Sequence, residues 1–323
     1  MKVLNIMAFH QKELDLQFGD GINILIGENG MGKTTLLKMI YAALQYSIEN
    51  QTSGKELIHF FSNNLRDFSQ MKYPGKEKDT CYYEISDGQH FFKDYLTKKN
   101  GIVSEGWKGL NIQSVFIPTT EMLSHSKGFL AMNQKYNMPF DETQIDIIVN
   151  ASLPETRKVS QSCEIILKEI SDVINGKVVQ EDDTFYIVKN DGRKIDFSLE
   201  AEGMRKLGLL WKLIRNGLLE KDSVLLWDEP EANLNPELYP LVANILLALQ
   251  KNGVQIFLAT HSYNFAKYLE IRRTEKEQVL IHNLYRNDSG KEIMSVSAYK
   301  MEDLEPNHIM MADNQLLDEV YNM

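Results

Sequence analysis

Residues 21–48 read GINILIGENGMGKTTLLKMIYAALQYSI. The first six residues are a short buried strand by pattern, a glycine-rich loop follows, and a helix follows the loop. The run Gly27 to Thr34 matches G-x-x-x-x-G-K-[ST] in the strand–loop–helix context that a phosphate-binding loop requires. Gly27, Gly30 and Gly32 let the backbone approach phosphates and turn its N–H groups inward. Asn29, Gly30, Met31, Gly32, Lys33, Thr34 and Thr35 are therefore the expected nucleotide cradle. The helix starting near Lys33 aims its positive end at the anion. Lys33 is expected to reach the β- and γ-phosphates, and the Thr34 hydroxyl to ligate Mg²⁺. A glycine-rich turn before a core helix would explain the glycines but not the Gly-Lys-Thr-Thr run.

Two further strands end in reactive side chains. Residues 223–236, SVLLWDEPEANLNP, place Asp228 and Glu229 just past the apolar run Val224–Trp227. A carboxylate at the C-terminal end of a parallel strand lies beside the phosphate loop in such sheets. Asp228 suits Mg²⁺, directly or through water. Glu229 suits general-base activation of the attacking water. Residues 254–262, VQIFLATHS, end in Thr260-His261-Ser262, which puts His261 within reach of a γ-phosphate. A lone histidine at a strand end is more often structural, but here it is the third such motif in order.

GENGMGKTT, LLWDEPEANLNP and LATHS together resemble the ABC-type ATPase heads of the SMC and recombination-repair class. They resemble more closely the small AAA-like ATPases of the OLD, Septu and PARIS type found in bacterial anti-phage defence. The resemblance covers residues 1–45 and about 195–265. It implies an α/β P-loop NTPase fold, an ABC-ATPase head with a mixed sheet, and ATP hydrolysis with Mg²⁺ by a head-to-head homodimer or higher oligomer. In it, Asp228 is the Walker B aspartate, Glu229 the catalytic glutamate and His261 the switch histidine. Asn233 to Asn235 stand where the D-loop crosses to the partner subunit.

The family also carries a signature segment that caps the partner's nucleotide. Residues 198–219, SLEAEGMRKLGLLWKLIRNGLL, are the candidate, with helical periodicity in Leu207, Leu210, Trp211 and Ile214. Glu202-Gly203 sits at the helix mouth, so Gly203 is the expected contact to a second γ-phosphate through its backbone. Two departures stand out. Ala201 replaces the serine common before Glu-Gly, leaving Gly203, the backbone, and Arg205 or Lys206 for charge. The strand SVFIP, residues 114–118, leads to Thr119, Thr120 and Glu121 rather than to a glutamine. Glu121 is a candidate for metal-linked water, and Phe9, His10 or Lys12 for the adenine, with Phe9 better suited to the core.

The rest bounds the function. The 323 residues, 43% hydrophobic and 25% charged, fit one globular ATPase domain over 1–323. A helical and hairpin insertion is expected at 122–197. No sustained heptad pattern predicts coiled-coil arms. Hairpins are expected at 80–95 around Asp87-Gly88, at 177–197 around Asn190-Asp191-Gly192, and at 279–299 around Asn287 to Gly290, with a helix from Ser160 to Ile174. Residues 122–160 suit either a lid or a connecting helix pair. Cys81 and Cys163 lack metal spacing and read as buried thiols. No apolar span or signal-peptide core is evident, so a cytoplasmic protein without a membrane partner is expected.

The net charge of −10 argues against a surface that coats DNA everywhere. The basic clusters at Lys72–Lys78 and Lys98-Lys99 read as solvated loops. The stretch after His261 has no room for a TOPRIM domain, and no nuclease motif is present. The leading expectation is thus a sensor or regulatory ATPase with a separately encoded effector, a nuclease among the candidates, in anti-phage defence. A DNA-repair ATPase and a low-turnover nucleotide-binding scaffold are the alternatives. A transporter subunit fits least.

Overall fold

The computed structural model describes residues 1–48, 57–61, 70–72, 81–95, 101–105, 107–136, 138–275 and 277–322. Residues 73–78 of the first basic cluster and Lys98-Lys99 lie outside them. The chain enters through β1 (Lys2–Leu4) and β2 (Leu14–Asp15), then β3 (Ile22–Gly27), the phosphate-loop strand. Helix α1 (Lys33–Tyr46) follows it, then the short α2 (Leu57–Phe61). Strands β4 (Tyr82–Ser86), β5 (Phe91–Tyr95) and β6 (Gly101–Glu105) complete an antiparallel sheet in the order β2-β1-β4-β5-β6. The predicted early hairpin therefore finishes the sheet that the N-terminal strands begin.

The second sheet carries the chemistry. Its order is β14-β13-β3-β12-β11-β7, with β7 (Ser114–Ile117), β11 (Val224–Asp228), β12 (Gln255–Ala259), β13 (Val279–Arg286) and β14 (Ile293–Ala298). Every pairing is parallel except β13–β14, so the sheet is mixed. Both faces are covered, which is why these strands read as unbroken apolar runs rather than alternating ones. Ile22, Ile24, Ile26, Leu225, Trp227, Ile256 and Leu258 face one core, and Leu25, Leu226, Phe257 and Ala259 face the other. Helix α1 packs in the second core through Leu36, Leu37, Ile40 and Leu44. Register then aligns the strand ends: Trp227 pairs with Leu258 and with Ile117, and Ala259 pairs with Leu25.

Residues 122–160 hold a connecting helix pair, α3 (Phe129–Tyr136) and α4 (Glu142–Ser152), the second of the two readings left open. Asp141 caps α4 in a capping box with Gln144 and also takes Lys38 Nζ of α1 at 2.6 Å. Ser160 caps α5 (Gln161–Ile174) as expected. The 177–197 hairpin gains a strand: β8 (Gly176–Glu181), β9 (Thr184–Lys189) and β10 (Lys194–Asp196) form a three-stranded sheet. Asn190-Asp191-Gly192 turns β9 into β10, but the β8–β9 turn has no glycine. It uses Asp182 at φ 49, a conformation aspartate tolerates, so the usual turn signal was missing. Helix α6 (Glu202–Arg215) carries the signature candidate. Helices α7 (Tyr239–Lys251) and α8 (Tyr263–Arg272) cover the first core, and α9 (His308–Tyr321) ends the chain. Among the described residues no helix exceeds 14 residues, and none is long and apolar enough to cross a membrane. Cys81 and Cys163 are buried and are not joined in a disulfide.

One buried polar group gives this core a pH dependence. His282 of β13 is fully buried; its Nδ1 lies 2.7 Å from Ser297 Oγ and its Nε2 lies 3.2 Å from Asn23 Oδ1. Burial lowers its pKa from 6.5 to about 4. Above pH 6.5 neither folded nor unfolded chain holds the proton. As pH falls through that value the unfolded chain binds a proton that the folded chain refuses, so stability is lost at about 1.4 kcal/mol per unit. Urea melts at pH 7 and pH 5 should therefore differ less in His282→Gln than in the wild type, by about 2 kcal/mol. An unchanged difference would assign the acid sensitivity to other groups.

Candidate functional site

Three strand ends and one helix start converge. Thr34 Oγ1 donates to Asp228, 3.0 and 2.9 Å from its two carboxylate oxygens. Thr119 Oγ1 donates to Asp228 Oδ2 at 3.1 Å. Burial raises the Asp228 pKa, and the two threonine hydroxyls oppose that shift. Lys33, 7% exposed, donates through Nζ to Gly27 O at 2.6 Å and Glu28 O at 3.0 Å. Burial lowers its pKa, and the charges of Glu229, Asp228 and Glu231 act against that. A cation and three carboxylates thus share one partly desolvated pocket.

The loop itself has room for an anion. A Cβ at Gly30, which has φ 81, would meet nothing within 4 Å, so the backbone there is open. Gly32 at φ 82 is closed from below: a Cβ would lie 2.4 Å from Phe9 Cζ. Phe9 is 1% exposed and supports the loop as core, not as an adenine contact. Met31 is buried in the same core, which leaves only its backbone to face a ligand. Asn29 and Gly30 are exposed, Thr34 is exposed and Thr35 half-buried.

Glu229 follows β11 in the left-handed region at φ 50, and its amide donates to Ala259 O of β12 at 2.8 Å. That backbone turn delivers its carboxylate to His261, whose Nδ1 lies 3.0 Å from Glu229 Oε1. A carboxylate can only accept, so Nδ1 carries the proton in this contact. Glu231, 5% exposed, accepts from Thr260 Oγ1 at 2.5 Å, and its Oε1 lies 3.9 Å from His261 Nδ1. A cleft of about 670 Å³ opens between Glu28, Asn29, Glu231, His261 and Tyr263 on one side and α9 on the other. His308 of α9 lies 3.4 Å from Glu28 at its rim.

The signature candidate is elsewhere. Gly203 is in the first turn of α6, and a Cβ there would lie 3.2 Å from Leu234 Cδ1. Asn233 Nδ2 donates to Glu202 Oε1 at 2.9 Å. Gly203 is thus packed on the segment after β11. Ala201 gives no side-chain cap, and Met204 and Arg205 make the first intrahelical bonds, to Ala201 O.

Two expectations are corrected here. Lys206 is 3% exposed, and its Nζ donates to Glu229 O at 3.2 Å and Ala232 O at 2.5 Å. Arg205 Nη1 pairs with Glu121 Oε2 at 3.2 Å. Neither is a free charge for a second phosphate, because both are consumed in fixing α6. Glu121, the candidate for metal-linked water, is also engaged elsewhere. It accepts from the Leu123 and Ser124 amides as well as from Arg205, so it caps a local turn. The side chain reaching Asp228 from that loop is Thr119. Sequence reasoning gave no role to Thr119 or Glu231; the one available signal was that Thr119 lies two residues past the strand paired with β11.

Residues that fit Mg²⁺ are present: a threonine hydroxyl and a buried carboxylate, already converged, beside a second hydroxyl. Among the described residues no cluster of three or more His, Cys, Asp or Glu has metal-site geometry.

Residues 126–266 match the family described as "AAA domain, putative AbiEii toxin, Type IV TA system". The DNA replication and repair protein RecF of Streptococcus uberis is 29% identical over 244 residues, covering 74% of this chain and 63% of that protein. RecF of Clostridium kluyveri is 31% identical over 118 residues, covering 36% of this chain and 27% of that protein. The chain thus spans less than two thirds of the length of either relative. A crystal structure of an SMC head bound to the C-terminal winged-helix domain of ScpA superposes with a TM-score of 0.55 at 14% identity, covering 92% of this chain and 96% of that one. The chain is thus similar to AAA-type and RecF-type ATPases over parts of its length, and it is built on the fold of an SMC head.

Proposed function

We propose that the chain binds ATP with Mg²⁺ and hydrolyses it at composite sites formed by two copies meeting head to head. The observation that supports this best is the meeting of Thr34, Asp228, Glu229 and His261 at adjacent strand ends. Glu229 acts as general base toward water, and His261 orients it. Lys33 leaves its two loop carbonyls for the phosphates, and backbone amides from Asn29 to Thr35 surround them. Mg²⁺, held by Thr34 and Asp228, supplies charge neutralisation at the phosphates. The uncapped start of α6 offers the Glu202 and Gly203 amides to the partner copy's γ-phosphate, without a serine hydroxyl.

The biological role we assign is that of a sensor or regulatory ATPase acting with a separately encoded effector, with anti-phage defence as its setting. The toxin–antitoxin wording of the matched family supports that setting. A second reading, a repair-type ATPase that acts on DNA, is favoured by the RecF likeness across 74% of the chain. ATP-dependent, salt-sensitive binding of duplex DNA separates the two, because phosphate contacts carry a steep salt dependence. The composite site is tested by light scattering on size exclusion with Glu229→Gln. Mg-ATP should double the mass; a monomer with ATP bound rejects the dimer.

A further inference from the structure

We propose that Glu231 is a second seat for the switch histidine: a positioning residue that retains His261 when Glu229 turns from the imidazole to the attacking water. The inference rests on the hydrolytic reading above and extends it to a residue outside the three motifs' reactive positions.

The geometry is that of a ring between two carboxylates. His261 Nδ1 lies 3.0 Å from Glu229 Oε1 and 3.9 Å from Glu231 Oε1. Less than an ångström separates the two distances, so both carboxylates lie beside the same ring nitrogen. The two carboxylates are not equivalent. Glu229 is 28% exposed at its side chain, whereas Glu231 is 4% exposed.

Glu231 is also anchored to the backbone that carries His261. Its Oε1 accepts from Thr260 Oγ1, and that hydroxyl accepts from the Ser262 amide at 2.9 Å. The carboxylate therefore ties down the residues on both sides of the histidine and leaves only the ring free to turn. Ser262 in turn caps α8 through Phe265 N, which fixes the far end of the loop.

The remaining atom gives the strongest indication. Glu231 Oε2 is buried and has no hydrogen-bond partner. An unpaired buried carboxylate oxygen is costly, and one that persists calls for a reason. A threonine or glutamine here could satisfy Thr260 with less desolvation. The carboxylate makes sense if its spare capacity is used in another position of the nearby donor, and the ring beside it is that donor.

The test is a double-mutant cycle on ATP turnover, with Glu231→Gln made in the wild type and in His261→Ala. Glutamine keeps an oxygen for Thr260 but withdraws the charge. In the wild type, Glu231→Gln should lower kcat about tenfold with KM unchanged within about twofold, and in His261→Ala it should cost nothing further. Equal losses in both backgrounds would make Glu231 a general structural residue and overturn the proposal, as would no loss at all. If the wild type turns over no faster than Glu229→Gln, the hydrolytic reading itself fails. The imidazole ¹⁵N signals, assigned by the loss of one set in His261→Ala, then decide the placement alone. A shifted His261 signal in a folded Glu231→Gln supports the second seat, and an unmoved one excludes it.

Discussion

Replacing Glu229 by glutamine should lower kcat by about 10²–10⁴-fold while leaving Mg-ATP binding within a few-fold of the wild type. The amide keeps the size of the side chain and can still accept from His261 Nδ1, now 3.0 Å from Oε1. It cannot take a proton from water. The backbone at φ 50 is no harder for glutamine than for glutamate, so the turn after β11 should survive. Neither Thr34 nor Asp228 contacts the changed atom through a described hydrogen bond, so the Thr34–Asp228 pair stays as it is. A coupled phosphate-release assay beside a fluorescent-nucleotide titration separates the two effects. Turnover within tenfold of the wild type would remove Glu229 from the role of base and favour a nucleotide-binding scaffold.

Lys33→Ala should act on binding instead, weakening Mg-ATP by about 100-fold or more, close to 3 kcal/mol. The ammonium is 7% exposed and sits among Glu229, Asp228 and Glu231. Without it, a triphosphate would meet those carboxylates with one cation fewer to offset them. The Gly27 and Glu28 carbonyls that Lys33 engages would also lose their donor. Circular dichroism and a melting curve distinguish a folded, non-binding variant from an unfolded one. Affinity retained within about threefold would mean that the loop amides suffice and that the lysine serves the loop rather than the ligand.

The parts legible in the sequence are those where local pattern and chemistry coincide. Ile22–Gly27, Val224–Asp228 and Gln255–Ala259 are short apolar runs, each ending in a residue that chemistry singles out. Parallel register alone then brings their ends together. What stayed hidden depends on contacts between distant segments. Thr119 meets Asp228 across 109 positions, and Arg205 meets Glu121 across 84. Nothing in a Thr-Thr-Glu run says which side chain turns toward the metal position, and glutamate was the more tempting choice. Lys206 looked like a surface charge because lysine usually is one. Its burial is decided by two backbone carbonyls 23 and 26 residues away. The strand β8 was obscured by a turn that uses aspartate where glycine is the common signal.

That buried lysine has a further consequence. Its ammonium, together with the Asn233–Glu202 bond and the close packing of Gly203 on Leu234, makes the mouth of α6 and the segment after β11 one stiff piece. In the proposed head-to-head pair, the first would belong to the site a head completes for its partner, the second to the site it keeps for itself. In a pair of heads, a displacement at one nucleotide would be carried through each such strut to the other. The two sites would then fire in concert, and occupancy would rise with a Hill coefficient above one rather than as two independent events.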